Sequence, residues 1–299
     1  MDVSILGCLH VGRDGHSVVP SASKPRTVLG VLAVRAGRVV PTSTLLEELW
    51  GLHPPASAAT TLQTYVLQLR SLMAELPGLT RGREEAKQIL SHEFGGYRLN
   101  IGDGFVDVEE FERLADDGRA AMAVRDYAAA SERLRDALRL WRGAPLVDVE
   151  PGPLLSAETT RLEDTRLRLF TDWAEADLRL GRHRWRVGDL AGLSARHPTN
   201  ERVQALYMLA LLGSGRRDRA LEVYQQLRRT LRCELDTEPT PACQLVHHLV
   251  LDAPPDSGDE LHWQHRVLDE LAAEAAGRQG VTGPAEPYPS SRPRLRARL

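Results

Sequence analysis

The sequence predicts a mainly α-helical chain in two parts: a head that mixes small antiparallel β-structure with three helices, and an all-α, TPR-like helical-repeat domain behind it. Three observations predict this. Near the amino terminus apolar residues fall in short runs, Val3 with Ile5, Leu9 with Val11, and Val18 with Val19, and Asp14-Gly15 supplies a hairpin turn between them. The stretch Ser57–Leu76 sets Leu62, Val66, Leu69, Met73 and Leu76 at alternating four- and three-residue steps, one stripe of a helix. Leu178, Leu180-Gly181-Arg182, Leu190 and Leu193 recur 34 residues later as Leu212, Ser214-Gly215-Arg216, Tyr224 and Leu227, the period of paired tetratricopeptide helices.

The chain has 299 residues, 42% hydrophobic and 26% charged, with a formal net charge of -3. That is the balance of a soluble globular protein long enough for two cores. The segment up to Ile101 is slightly basic, with ten basic and eight acidic residues, and the remainder is acidic. Attraction for a polyanion must therefore come from local placement of charge. Cys8, Cys233 and Cys243 are odd in number and lack metal-ligand spacing, which fits a reducing compartment. With no signal segment and no apolar run of membrane length, the expected location is the cytoplasm, away from membranes. No Gly-x4-Gly-Lys-Ser/Thr loop, Gly-x-Ser-x-Gly elbow or Cys-centred nucleophile motif occurs. His247-His248 and His262-x-x-His265 read as surface histidines. No cofactor, metal or catalytic site is expected.

In chain order, the alternating runs from Val3 to Val19 form a small sheet. Lys24-Pro25-Arg26 then opens a helix, buried through Val28, Leu29, Val31 and Leu32 and ended by Gly37. A second helix spans about Thr42 to Trp50, and Gly51-Leu52-His53-Pro54-Pro55 breaks the backbone. Ser57–Leu76 follows as the third. Arg81 to Ala86 reads as a charged, poorly structured link. Strands over Gln88–His92 and Tyr97–Ile101 join through Phe94-Gly-Gly as a wing. Helix, helix, Pro-rich turn, helix, hairpin is the order of a winged helix-turn-helix domain.

The outer face of the third helix carries Thr60, Thr64, Leu67, Gln68 and Ser71, flanked by Thr61, Gln63 and Arg70. Charge is nearly absent from it. Hydroxyls, amides and an Arg are groups that bond phosphates and base edges, and an outward Leu can meet a thymine methyl. The segments Lys24-Pro-Arg-Thr-Val-Leu, Leu45-Leu-Glu-Glu-Leu-Trp-Gly, Pro54-Pro-Ala-Ser-Ala-Ala-Thr-Thr-Leu-Gln-Thr-Tyr-Val-Leu-Gln-Leu-Arg and Gly95-Gly-Tyr-Arg-Leu resemble the winged helix of the Streptomyces antibiotic regulatory protein family, itself similar to the OmpR type. Leu140-Trp-Arg-Gly-Ala-Pro-Leu, His197-Pro-Thr-Asn-Glu-Arg and Gly215-Arg-Arg-Asp-Arg-Ala-Leu-Glu-Val-Tyr resemble that family's bacterial transcriptional activation domain.

The resemblance implies a DNA-binding domain over 1–101, an activation domain over 107–251, and a linker, short amphipathic helix and basic tail over 252–299. It implies a transcriptional activator of a secondary-metabolite gene cluster. Thr60, Thr61, Gln63, Thr64, Leu67, Gln68 and Arg70 are the candidates for base or phosphate contact. Lys24, Arg26 and Arg38 are expected to clamp phosphates, and Tyr97 and Arg98 to reach the backbone or minor groove, although Tyr97 also suits packing at the wing base. The implied partners are double-stranded DNA with direct repeats about one helical turn apart, a second protomer on that DNA, and RNA polymerase holoenzyme. Gly51, Leu52, His53, Pro54 and Pro55 are the candidate polymerase contact. Arg292, Arg294, Arg296 and Arg298 belong to a tail expected to be solvated. The alternative reading is a helical-repeat adaptor that binds protein rather than DNA.

Overall fold

A computed structural model describes residues 1–252 and 267–271. Val267–Leu271 are helical; the rest of the expected 260–276 helix, the linker before it, His262, His265 and the arginine-rich tail lie outside the described residues. Two compact units divide the chain, one ending at Leu180 and one starting at Gly181.

The first unit opens on a three-stranded antiparallel sheet of β1 (Asp2–Ser4), β2 (His10–Arg13) and β3 (His16–Ser17). Val3 pairs with Val11, burying one apolar edge of the alternation. Helix α1 (Ser23–Val34) follows, with Pro25 in its first turn where no intrahelical donor is lost. A short β4 (Val39–Pro41) leads into α2 (Thr42–Trp50), α3 (Ala58–Met73) and α4 (Arg83–Ile89). Strands β5 (Leu90–Glu93) and β6 (Gly96–Leu99) form the wing and join β4 in the order β4-β6-β5.

The charged link expected over Arg81–Ala86 is corrected: Arg83–Ile89 is helical and the strand begins at Leu90. Glu85 reaches back to accept hydrogen bonds from the Thr80 and Arg81 amides and the Thr80 hydroxyl, which folds the approaching chain onto the first turn of the helix. These bonds hold the Glu85 carboxyl below the usual carboxylate range, the Thr80 hydroxyl contributing most.

Three further helices, α5 (Asp107–Ala123), α6 (Tyr127–Arg139) and α7 (Pro153–Arg179), complete the first unit. The junction expected between 101 and 107 thus falls inside it. One contiguous apolar core runs from Met1 and Val3 through Leu32, Leu62 and Leu99 to Phe111, Leu134, Leu155 and Leu169. Buried carboxylates tie its parts together. Glu48 of α2, 6% exposed, accepts from the backbone N–H groups of Gly152, Leu154 and Leu155 and so caps α7. A Cβ on Gly152 would lie 2.3 Å from the Glu48 carbonyl oxygen, so glycine alone permits that approach. Asp107, at the start of α5, accepts from the Ile5 and Leu6 amides and from Arg142. Burial nonetheless pushes its carboxyl above the usual range, against the pull of those donors. Asp148 accepts from the Leu9 amide.

The second unit contains α8 (His183–Arg196), α9 (Glu201–Leu212), α10 (Arg217–Leu235) and α11 (Pro241–Asp252). Helix α9 is buried along nearly its whole length from Val203 to Leu212 and serves as the central rod against which the other three pack. Buried Gln204 holds the preceding turn, donating to the Ser194 and His197 carbonyls and accepting from the Ser194 hydroxyl. Asn200 caps α9 through the Val203 amide. Gly181 and Gly215, 34 residues apart in sequence, precede α8 and α10 with matching left-handed φ of 73° and 74°. No helix among the described residues is long and apolar enough to cross a membrane.

Glu48→Ala strands buried amides at the α7 entry and is expected to lower the unfolding free energy by about 3 kcal/mol; an unshifted urea midpoint would contradict the capping role. Trypsin under native conditions is expected to leave a resistant fragment ending near Arg182. A fragment ending at Arg98 would show that the winged helix is a separate folding unit.

Candidate nucleic-acid interface

Helix α3 is built with two unlike faces. Ala58, Leu62, Val66, Leu69 and Met73 are buried against the core. Thr60, Gln63, Thr64, Gln68 and Ser71 are exposed, and Leu67 is 60% exposed among them. Nothing in the first unit covers this face. The hydroxyls of Thr61, Thr64 and Ser71 donate to the carbonyls of Ser57, Thr60 and Leu67, leaving oxygen lone pairs outward. Gln63 and Gln68 make no side-chain hydrogen bond to any described residue, so both amides keep a donor and an acceptor for an external partner. No Asp or Glu occurs between Leu49 and Ala74, so no carboxylate of this segment repels a phosphate.

The cations fall into two groups. Arg38 is exposed and unpaired among the described residues. Arg26 is corrected from a free phosphate clamp to an internal strut: its guanidinium donates to the Pro20, Ser21 and Asp148 carbonyls and lies 3.6 Å from the Asp148 carboxylate. Lys24 is half-buried, and its ammonium donates one hydrogen bond to the Leu49 carbonyl near the end of α2. Arg70 donates through Nε and Nη2 to the Leu90 carbonyl, which fastens α3 to the first wing strand. Arg98 is half-buried and ion-paired at 2.7 Å with Glu93.

Tyr97 is corrected as a groove contact. It lies opposite Val40 in the sheet, is buried, and has its ring 4.9 Å from that of His92, so it packs the wing base. The residue that does project is Phe94, 97% exposed at the wing tip. Glu93 pairs with Gly96, which leaves Phe94-Gly95 as a two-residue loop with φ of 50° and 77°. Both residues are left-handed, the arrangement of a type I′ turn, whose first position favours Asn or Gly. A Phe there costs about 1 kcal/mol of backbone strain. The sequence clue was this Phe in a turn position that usually carries Asn.

Between α2 and α3, the 51–55 loop holds Leu52 85% exposed, with His53, Pro54 and Pro55 also exposed and Gly51 in the left-handed region. Trp50 stacks on Tyr65 at 6.5 Å, bracing the end of α2 against α3 beside the loop. Among the described residues no three His, Cys, Asp or Glu side chains converge in a way that could hold a metal ion.

Comparison with known proteins agrees with this geometry. Residues 16–99 match the family model described as "Transcriptional regulatory protein, C terminal", and residues 106–251 match "Bacterial transcriptional activator domain". The chain is 45% identical over 255 residues to Regulatory protein DnrI of Streptomyces peucetius, covering 85% of this chain and 93% of that protein. It is 35% identical to Regulatory protein AfsR of Streptomyces coelicolor over 84% of this chain but 24% of that longer protein. The solved structure of Mycobacterium tuberculosis EmbR in complex with a low-affinity phosphopeptide superposes with a TM-score of 0.78, at 28% identity, over 94% of this chain and 70% of that one. A bare recognition-type helix, a wing and a matched activator domain, together with a near full-length relative, lead to one conclusion: this chain belongs to the Streptomyces antibiotic regulatory protein family of transcriptional activators.

Proposed function

We propose that α3 lies in the major groove of its operator and that Thr60, Gln63, Thr64, Leu67 and Gln68 read the bases there. The observation that carries this is the uncovered, uncharged face of α3, whose two unengaged amides match the paired donor and acceptor of adenine. Arg38 meets phosphate; Arg70 and Arg98 support the interface by holding the wing. Two protomers occupy direct repeats about one helical turn apart, so both helices reach the same side of the duplex. The 51–55 loop, led by Leu52, contacts RNA polymerase holoenzyme, since an exposed leucine beside two prolines favours protein over phosphate. The regulated genes are a secondary-metabolite cluster, and the protein works in the cytoplasm without catalysis or cofactor.

With a duplex recovered from a random-sequence library by selection on the full chain, Arg38→Ala is expected to reduce the slope of log K against log salt by about one phosphate contact. Gln68→Ala is expected to relax preference at a single base position, at a cost of about 1–3 kcal/mol. Arg26→Ala serves as the contrast: it lowers the melting temperature and leaves the salt slope alone. If Gln68→Ala binds every single-base variant in the parent's rank order, the α3 reading fails. Leu52→Asp is expected to bind the duplex like the parent yet lose activation in transcription reconstituted with polymerase holoenzyme; full activation would remove the loop from the polymerase contact.

A further inference from the structure

Phe94 carries two costs that nothing among the described residues offsets. Its ring is almost wholly in water, and its backbone is held in the left-handed region that an aromatic residue avoids. Strain kept at an exposed position points to an external partner. The turn is also held firmly. The Gly95 carbonyl accepts from both the amide and the hydroxyl of Thr42, at 3.1 and 2.8 Å, so the wing tip is bolted to the start of α2. On its other side a Cβ on Gly96 would fall 2.2 Å from the Val40 carbonyl oxygen, so the strand sits flush on β4.

We propose that Phe94 is a wedge that enters the minor groove next to the recognition site and partly unstacks one base step. This rests on the reading of α3 as the major-groove helix and adds to it a second, shape-dependent point of selection. Two observations and the geometry of the duplex favour DNA as the occupant. Arg70 joins α3 directly to the start of β5 through the Leu90 carbonyl, so the strand that leads to the wing tip is fastened to the recognition helix. A helix seated in a major groove leaves the adjoining minor groove as the next surface along the duplex. The acid closest in sequence to Phe94, Glu93, has its carboxylate taken up by Arg98 and Ser91, each at 2.7 Å, which lowers its repulsion of the sugar–phosphate walls. An apolar side chain placed there opens a base step and bends the duplex towards the major groove. Pyrimidine–purine steps open most readily, so the operator carries one at a fixed offset from the bases read by α3.

The test uses the full-length chain and the selected duplex, with bend measured by circular permutation and base unstacking by 2-aminopurine placed at successive steps. The parent is expected to bend the duplex by at least about 20° and to brighten 2-aminopurine at one step. Phe94→Ala is expected to lose both signals and about tenfold in affinity, while Phe94→Leu keeps most of the bend. Phe94→Asn separates the wedge from folding: it suits the left-handed turn, so it raises the melting temperature while losing bend and brightening as alanine does. Parent-like bending by Phe94→Ala overturns the wedge and leaves the α3 reading standing. So does a loss of transcription with binding and bend unchanged, which would assign Phe94 to a protein contact. Failure of the parent to select any duplex overturns both.

Discussion

A backbone N–H taken out of water must find an acceptor, and the first unit depends on how its side chains meet that demand. The entry of α7 is satisfied by Glu48, a residue of α2 more than a hundred positions earlier in the chain. The turn after β1 is satisfied by Asp107 on α5, and Leu9 by Asp148. Each carboxylate is set where losing it would leave amides buried without partners, a larger penalty than any single apolar contact imposes. Elements that pattern alone assigns to two domains are therefore built as one core. Residues 106–180, the leading part of the matched activator domain, fold with the winged helix.

That construction positions α3. Its stripe from Leu62 to Met73 is anchored on a core that extends through Leu155 and Leu169, and Arg70 ties it to the wing. A helix presenting small neutral groups has little to hold it in place except what lies underneath, because its outer face contributes no ion pairs of its own. Rigidity comes from below and chemical freedom is kept above, which suits the proposed exchange of water for base edges without rearrangement.

The features legible in the sequence were those set by local periodicity. The α3 stripe and the glycine turns before α8 and α10 follow from spacing along one segment, and one-sided burial enforces that spacing. What escaped depended on partners distant in the chain. Arg26 and Lys24 looked free because their acceptors, the carbonyls of Asp148 and Leu49, come near only in the folded state. Tyr97 could face either way until pairing with Val40 set its side of the sheet. Phe94 became conspicuous only once the pairing of Glu93 with Gly96 reduced the turn to two residues. The missed α4 differs from these, since its contacts are local: the charge run from Arg81 to Lys87 resembled a solvated link, and Glu85 reaches back to Thr80 from the first turn of the helix.

The internal hydrogen bonds of Lys24 and Arg26 bear on how affinity arises on the proposed reading. A module that neutralises many phosphates binds every duplex strongly and discriminates late. Here several of the candidate cations are consumed in holding the fold, Arg38 is left exposed, and the chain as a whole is negative. A single protomer then has little non-specific attraction to draw on, and most of its binding energy has to come from base edges and groove shape. Such a module gains from a second copy on an adjacent repeat, because joint occupancy multiplies a modest specific affinity without enlarging the non-specific one. On that reading, a second copy on the same duplex compensates for the cationic side chains engaged inside the fold.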